Sequence, residues 1–320
     1  MKKLIYLFLA LLIVACSDDD SSDDNNDGGG GNEQSSCPIY LDSNGITIKA
    51  CEDANVGDTG VVNGVTYTVV DKEMLREMIA YEEDVTRVAT TKITNMNQMV
   101  GTFEANVFNQ DIGSWDVSNV TDMYQMFYLA TAFNQPIGDW DVSNVTNMDL
   151  MFVNCYEFNQ PIGDWDVSNV TYMSGMFSGA ASFNQPIGDW DLSNVVVTAA
   201  MFQNAIAFNQ PIGNWDVSNL IGSMSQMFLG ATSFNQDIST WDVSSVSFMY
   251  QMFYFATAFN QPIGDWDVSN VTYMSGMFGN SSFNQDLSAW SVSNVTYCIG
   301  FSDNSPLTEA NTPNFTNCTP

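Results

Sequence analysis

Carboxylates are the one class of side chain in this sequence frequent and regular enough to suggest chemistry. Asp116, Asp141, Asp166, Asp191, Asp216, Asp242 and Asp267 each follow a tryptophan, and Asp139, Asp164, Asp189 and Asp265 each precede one. Residues two apart on a strand share a face, and like charges stacked at strand spacing repel one another. Two readings of the ladder stand. It is a hydrated acidic face, or it is a row of oxygen ligands for calcium or another divalent ion, since calcium takes carboxylate and carbonyl oxygens. Two acids suffice for glycoside hydrolysis, but these acids recur from turn to turn, whereas a catalytic centre is singular. No enzyme is expected, and no cofactor other than calcium.

The composition narrows the classes further. The chain has 320 residues, with 37 Asp+Glu, 7 Lys+Arg and no histidine, for a formal net charge of −30. Lacking histidine, it has no imidazole base and no Ser-His-Asp triad. From Ile93 to Pro320 there is no Lys or Arg, so the basic footprint that nucleic-acid binding requires is missing. An anionic membrane surface repels such a domain.

At the N-terminus, Met1-Lys2-Lys3 precedes an apolar run from Leu4 to Val14. That run is too short to span a bilayer, which takes about 20 residues. It ends in Ile13-Val14-Ala15-Cys16, which resembles a bacterial lipobox. The resemblance implies a signal peptide over 1–15 and lipidation of Cys16. Residues 16–36 are rich in Asp, Ser and Gly, the composition of a self-repelling disordered tether. Its start, Ser17-Asp18-Asp19-Asp20, resembles the surface-export signal of lipoproteins in the Bacteroidota; the alternative is a solvated linker without a sorting role. An exported protein permits disulfides. Cys37 with Cys51 and Cys298 with Cys318 are local pairs and are expected to clamp the two ends of the domain. Cys155 fills a position held elsewhere by Ala130, Ala180, Ala205 and Ala256, and reads as a small buried thiol.

The elements that position these residues come from repetition. All eight tryptophans fall on one motif, FNQPIGDWDVSNVT or a close variant, with gaps of 25, 25, 25, 25, 26, 25 and 24 residues. A period in this range signals a solenoid of stacked units. In the unit 133–157, Trp140 and Val142 flank Asp141 at strand period, and Met148, Met151, Phe152 and Cys155 follow helix spacing. The expected repeat is one short parallel strand around Trp-Asp-Val, a capped turn and one short helix. The spacing Ile137-x-x-Trp140-x-Val142 matches the L-x-x-L-x-L pattern of leucine-rich repeats. The fold class expected is therefore an α/β solenoid, leucine-rich-repeat-like, of about eight turns over 93–302. It follows a small non-repetitive cap over 37–92 and precedes a tail over 303–320. Asn119, Asn144, Asn169, Asn194, Asn219, Asn270 and Asn294 share one phase and are expected to form a structural ladder bonding the backbone of adjacent turns. In the cap, Asn63-Gly64 signals a hairpin, and a helix is expected to begin near Asp71. The single-residue insertion at Ile221-Gly222 marks an irregular turn.

The units FNQPIGDWDVSNVTNM and FNQDISTWDVSSVSFM, each followed by Met-x-x-Met-Phe, resemble the repeat of BspA-like surface lipoproteins. Those are leucine-rich-repeat relatives found in mycoplasmas and Bacteroidota. The resemblance implies an outer-membrane lipoprotein exposed on the cell surface, non-enzymatic, that adheres to or captures a protein or glycan ligand on another cell or matrix. Its contact with membrane is then only through the N-terminal lipid anchor. The alternative is a structural role, as an acidic, calcium-loaded surface layer or envelope spacer.

Overall fold

The computed structural model describes residues 38–101 and 106–320. The N-terminal part is built from short strands. β1 (Ile39–Leu41) pairs antiparallel with β2 (Ile48–Ala50), and β3 (Thr59–Val62) with β4 (Val65–Val69). Asn63 and Gly64 join β3 to β4 with φ of 51° and 79°, the paired positive values that a two-residue hairpin of this twist demands. β2 starts two residues later than the apolar run Ile46-Thr47-Ile48 suggests. The Asn44 side-chain oxygen accepts from the Ile46 and Thr47 N–H groups and holds them in the turn. Helix α1 (Lys72–Ala80) is capped by Asp71, whose carboxylate accepts from the Met74 N–H at 2.9 Å. That bond satisfies one of the donors a helix start leaves unpaired. Leu75 is fully buried, and Met74, Met78 and Ile79 pack on the main core. β5 (Val88–Ala89) lies parallel to β4.

The cap is hydrogen-bonded onto the first repeat. Ile48 N–H donates to the Ser114 carbonyl at 2.9 Å. The Trp115 indole donates to the Val85 carbonyl at 2.9 Å and the Thr90 hydroxyl to the Asp116 carbonyl at 2.9 Å.

Beyond the cap, the repeats lie in parallel register. Single-residue bridges link Asn95 to Asp122, then Asn147, Tyr172 and Val197, and link Phe248 to Tyr273 and Tyr297. Between these runs, β6 (Gly222–Ser223) pairs parallel with β7 (Val246–Phe248), with a register irregularity where the extra residue sits. Gly222 adopts φ +99° there, a conformation glycine reaches without a Cβ clash. The ladder therefore runs through the residue after the Val-Thr pair, and the strand expected at Trp-Asp-Val is absent. Trp140 N–H bonds inside its own repeat, to Ile137 O at 3.2 Å. Buried Trp, exposed Asp and buried Val alternate as in a strand, but two consecutive turns produce the same alternation.

The helix expected in each repeat is also absent. Helix α1 is the one α-helix among the described residues. In the segment Met148–Cys155 the backbone amides alternate in direction. Leu150, Phe152 and Asn154 donate forward to Ser174, Met176 and Ser178 of the next repeat at 2.7–2.9 Å, whereas Met151, Val153 and Cys155 donate back three residues. Leu150 and Asn154 have φ of 59° and 57°. Two such residues, four apart, recur in each turn from Gln125 to Asn304, and a right-handed helix contains none. The structure is a chain of tight turns repeating every four residues. That period is close enough to 3.6 to bury the same i, i+3, i+4, i+7 set as a helix.

Packing holds the turns together. Phe152, Phe177, Phe202, Phe228 and Phe253 form a column with ring centroids 5.7–5.8 Å apart. A second column, including Phe158, Phe183, Phe208 and Phe234, lies about 4 Å from the first. Trp115 stacks on Trp140, and Trp215, Trp241, Trp266 and Trp290 stack in succession, with centroids 6.3–6.5 Å apart. Each interior indole N–H donates to an isoleucine carbonyl of the preceding repeat, as Trp190 does to Ile162 at 3.2 Å, so burying the ring leaves no unpaired donor.

Candidate functional site

The ladder aspartates sit at the start of a turn, and each carboxylate accepts from the serine two residues on. Asp166 accepts from the Ser168 N–H at 3.1 Å and from its hydroxyl at 2.6 Å, and Asp141 and Asp216 do the same with Ser143 and Ser218. Asp191, Asp242 and Asp267 accept from the N–H groups of Ser193, Ser244 and Ser269 at 2.9–3.0 Å. These bonds hold the carboxyls of Asp166, Asp191, Asp216, Asp242 and Asp267 below the ordinary carboxylate range, the serine hydroxyl first and the N–H next. The charge of a neighbouring rung pushes Asp191, Asp216 and Asp242 the other way, and loses. Hydrogen bonding thus offsets the repulsion. Asp139, Asp164, Asp189 and Asp265 are exposed at the adjoining Gly-Asp turns. Among the described residues, no group of three or more His, Cys, Asp or Glu is placed to hold a metal ion.

A depressed folded-state pKa contributes stability that is present above the unfolded value, about 3.9 for Asp, and is lost as pH falls through the folded value. Asp216→Ala is therefore expected to be less stable than the parent at neutral pH, with the gap closing as pH drops below about 4. Thermal melts of both proteins across that range check it; a gap constant with pH contradicts the assignment.

Asp116 departs from the expectation of an outward-facing ladder. It is 2 % exposed, and its Oδ2 has no hydrogen-bond partner. The hairpin β1–β2 covers the first repeat here. Lys49 of that hairpin has its pKa raised first by its ion pair with Asp42 (2.9 Å) and further by the charge of Asp116. Only a contact between residues far apart in sequence buries this rung, so the local motif cannot reveal it.

The asparagine ladder, interrupted at Ser245, bonds a turn to the one before. Asn119 donates to Thr91 O, Asn144 to Ser118 O, Asn169 to Ser143 O, Asn194 to Ser168 O and Asn219 to Ser193 O. Asn270 and Asn294 donate to Ser244 O and Ser269 O, all within 2.6–3.0 Å. A second ladder, not expected from the sequence, runs through the Phe-Asn-Gln segment. The Asn184 side chain accepts from Asn209 N–H at 2.9 Å and from the Gln210 amide at 3.0 Å, and Asn184 O accepts from that same amide. The invariant phase of Asn and Gln after Phe was the available signal.

Cys298 and Cys318 are joined in a disulfide. Cys16, Ser17, Asp18, Asp19, Asp20 and Cys37 lie outside the described residues, and with Cys37 the pairing to Cys51. Cys155 is fully buried, its thiol donates to the Phe127 carbonyl at 3.0 Å, and burial pushes its pKa up. The thiolate is the reactive form, so the native protein is expected not to react at Cys155 with a maleimide until it is unfolded. Cys155→Ala should leave stability nearly unchanged, because alanine fills this place in other repeats. Mass spectrometry before and after denaturation, and melting of the variant, check both.

The tyrosines vary from turn to turn on the outer surface. Tyr172 is 46 % exposed, and Tyr124, Tyr128, Tyr250, Tyr254 and Tyr273 are half-buried. Tyr250 meets Tyr273 edge-on at 5.4 Å, and Tyr273 meets Tyr297 at 4.9 Å.

No curated protein and no solved structure matches the chain. One family model matches it in three tandem segments, residues 62–157, 136–223 and 218–307. These span the parallel-stacked turns and more than half of the 320 residues. The chain belongs to the family described as Mycoplasma protein of unknown function, DUF285.

Proposed function

We propose that this protein is a non-enzymatic surface lipoprotein of the BspA-like type, from a bacterium of the Bacteroidota, whose repeats form a solenoid that displays side chains for adhesion or ligand capture. The observation that carries this reading is the division of labour within each turn. The Trp, Phe, Met and Asn positions are spent on packing and stacking, while the positions of Tyr172, Phe248, Phe255, Tyr297 and Ile299 vary and stay 46–76 % exposed. Scattered exposed apolar residues are ordinary, but aromatics in neighbouring rungs of a rigid stack make a surface of the kind interfaces use. The acids recur as equivalents bonded to serine, which supports a non-catalytic role. Lipidation at Cys16 with the acidic tether to residue 36 is the proposed anchor, with export signalled by Ser17-Asp18-Asp19-Asp20.

Protease treatment of intact cells, compared with cells whose outer membrane is permeabilised, tests the location. Digestion on intact cells is the expected result, and protection until permeabilisation overturns it. Binding of lipid-free protein to whole cells, matrix proteins and polysaccharides tests the activity. Failure to bind any of them removes the adhesion reading and leaves an envelope spacer as the better account.

A further inference from the structure

The last turns carry a cleft of about 270 Å³. Tyr250 and Tyr254 from one turn, Asn280 from the next, and Ile299, Asp303 and Asn304 from the last line it. Two glycines let the tyrosine side of the cleft lie close to the next turn. A Cβ at Gly279 would stand 2.6 Å from the Tyr254 ring, and one at Gly276 would meet the Gln251 and Tyr254 side chains at 3.1 and 3.5 Å. In the turn before, the positions matching Gly276 and Gly279 hold Gln251 and Tyr254, so the Tyr254 ring packs over glycine backbone and not against a side chain. The polar groups of the cleft are already oriented. The Asn304 amide donates to the Asn280 side-chain oxygen at 3.0 Å, and both asparagines hold positive φ, 57° and 54°.

We infer that this cleft binds a neutral glycan: sugar rings stack on Tyr254 while Asn280, Asn304 and Asp303 bond their hydroxyls. The inference rests on the adhesion reading above and names the ligand class for it. Three features carry it. An amphipathic tyrosine face beside fixed amide and carboxylate groups matches a ligand with apolar C–H faces and hydroxyl edges. The volume lies just below the roughly 300 Å³ at which drug-sized pockets begin, which suits one or two rings of a chain and not a folded partner. Asp303 at the rim, in a stretch of 228 residues (93–320) without Lys or Arg, repels acidic glycans, sulfates and phosphates.

The test is calorimetric titration of the full-length protein with cellohexaose, mannohexaose and xylohexaose, with oligogalacturonate as the anionic control. The expected result is saturable binding of at least one neutral hexamer and none of oligogalacturonate. Tyr254→Ala and Asn280→Ala should each weaken binding at least tenfold with the melting temperature little changed, whereas Tyr124→Ala, outside the cleft, should bind as the parent does. Absence of binding to every neutral hexamer overturns the inference, as does binding that Tyr254→Ala and Asn280→Ala leave intact, or preference for the anionic oligomer. If the protein still adheres to cells or matrix protein in any of those cases, the adhesion reading survives without this cleft. If adhesion is absent as well, both fall.

Discussion

Phe202→Ala is expected to lower the stability of the protein by about 3–5 kcal/mol, the range for truncating a fully buried aromatic. Phe202 is completely buried, with Phe208 at 4.0 Å in its own turn, Trp215 at 6.1 Å, and Phe177 and Phe228 at 5.8 and 5.7 Å in the turns on either side. In a stack where each unit contacts only its neighbours, stability is a sum of unit and interface terms. Removing this ring weakens one unit and both of its interfaces, and the columns above and below cannot close the gap without breaking the backbone register. Phe248→Ala makes the contrast. Phe248 is also on the ladder but is 46 % exposed, and its loss should stay within about 0.5 kcal/mol, as for surface changes generally. Urea unfolding of the two variants checks both values. Near-equal effects would mean that the aromatic columns are not what holds the turns together.

The second large effect is at the C-terminal end. Cys318→Ser, or reduction of the Cys298–Cys318 bond, is expected to cost about 3 kcal/mol, the loop-closure value for a bridge of this span, with a sequence separation of 20. The consequence should be local. Cys298 occupies the place of a core methionine and is fully buried, and Phe315 of the tail lies edge-on to Phe301 at 5.0 Å. With the tail released, Phe301 and the last rung would face solvent, leaving the stack without an end cap. Limited proteolysis should therefore cut the tail first after reduction, with the interior turns resistant. Simultaneous digestion of tail and interior would show instead that the bridge supports the whole array.

The sequence made the stacking readable and misled on what is stacked. The 25-residue period, the start of α1 near Asp71, the Asn63-Gly64 hairpin and the asparagine ladder follow from residue types and spacing. The helix did not survive, because Met148, Met151, Phe152 and Cys155 satisfy a helix and a four-residue chain of turns equally well. A distinguishing signal was present. Of the 16 positive-φ positions from Gln125 to Asn304 in these segments, nine are Gly or Asn, the residues that tolerate that conformation. Gly175 with Gly179, Asn154, Asn204, Gly230 and Asn280 recur four apart or at equivalent places, where a stable helix would avoid them. The strand was misplaced for a related reason. Trp140, Asp141 and Val142 alternate in burial, but their backbone bonds are spent within the turn. Burial of Asp116 was not legible at all, since it depends on where the Lys49 hairpin docks.

Backbone amides of the Met-x-x-Met-Phe segments and their variants reach forward to the next repeat. A scalar coupling across the hydrogen bond, measured by NMR on deuterated, isotope-labelled protein, tests it directly at Phe202. Coupling from the Phe202 nitrogen to the Met227 carbonyl carbon is expected, as the 2.9 Å bond requires. Coupling to the carbonyl of Thr198, the i−4 partner of an α-helix, would contradict it and restore a helix to every turn.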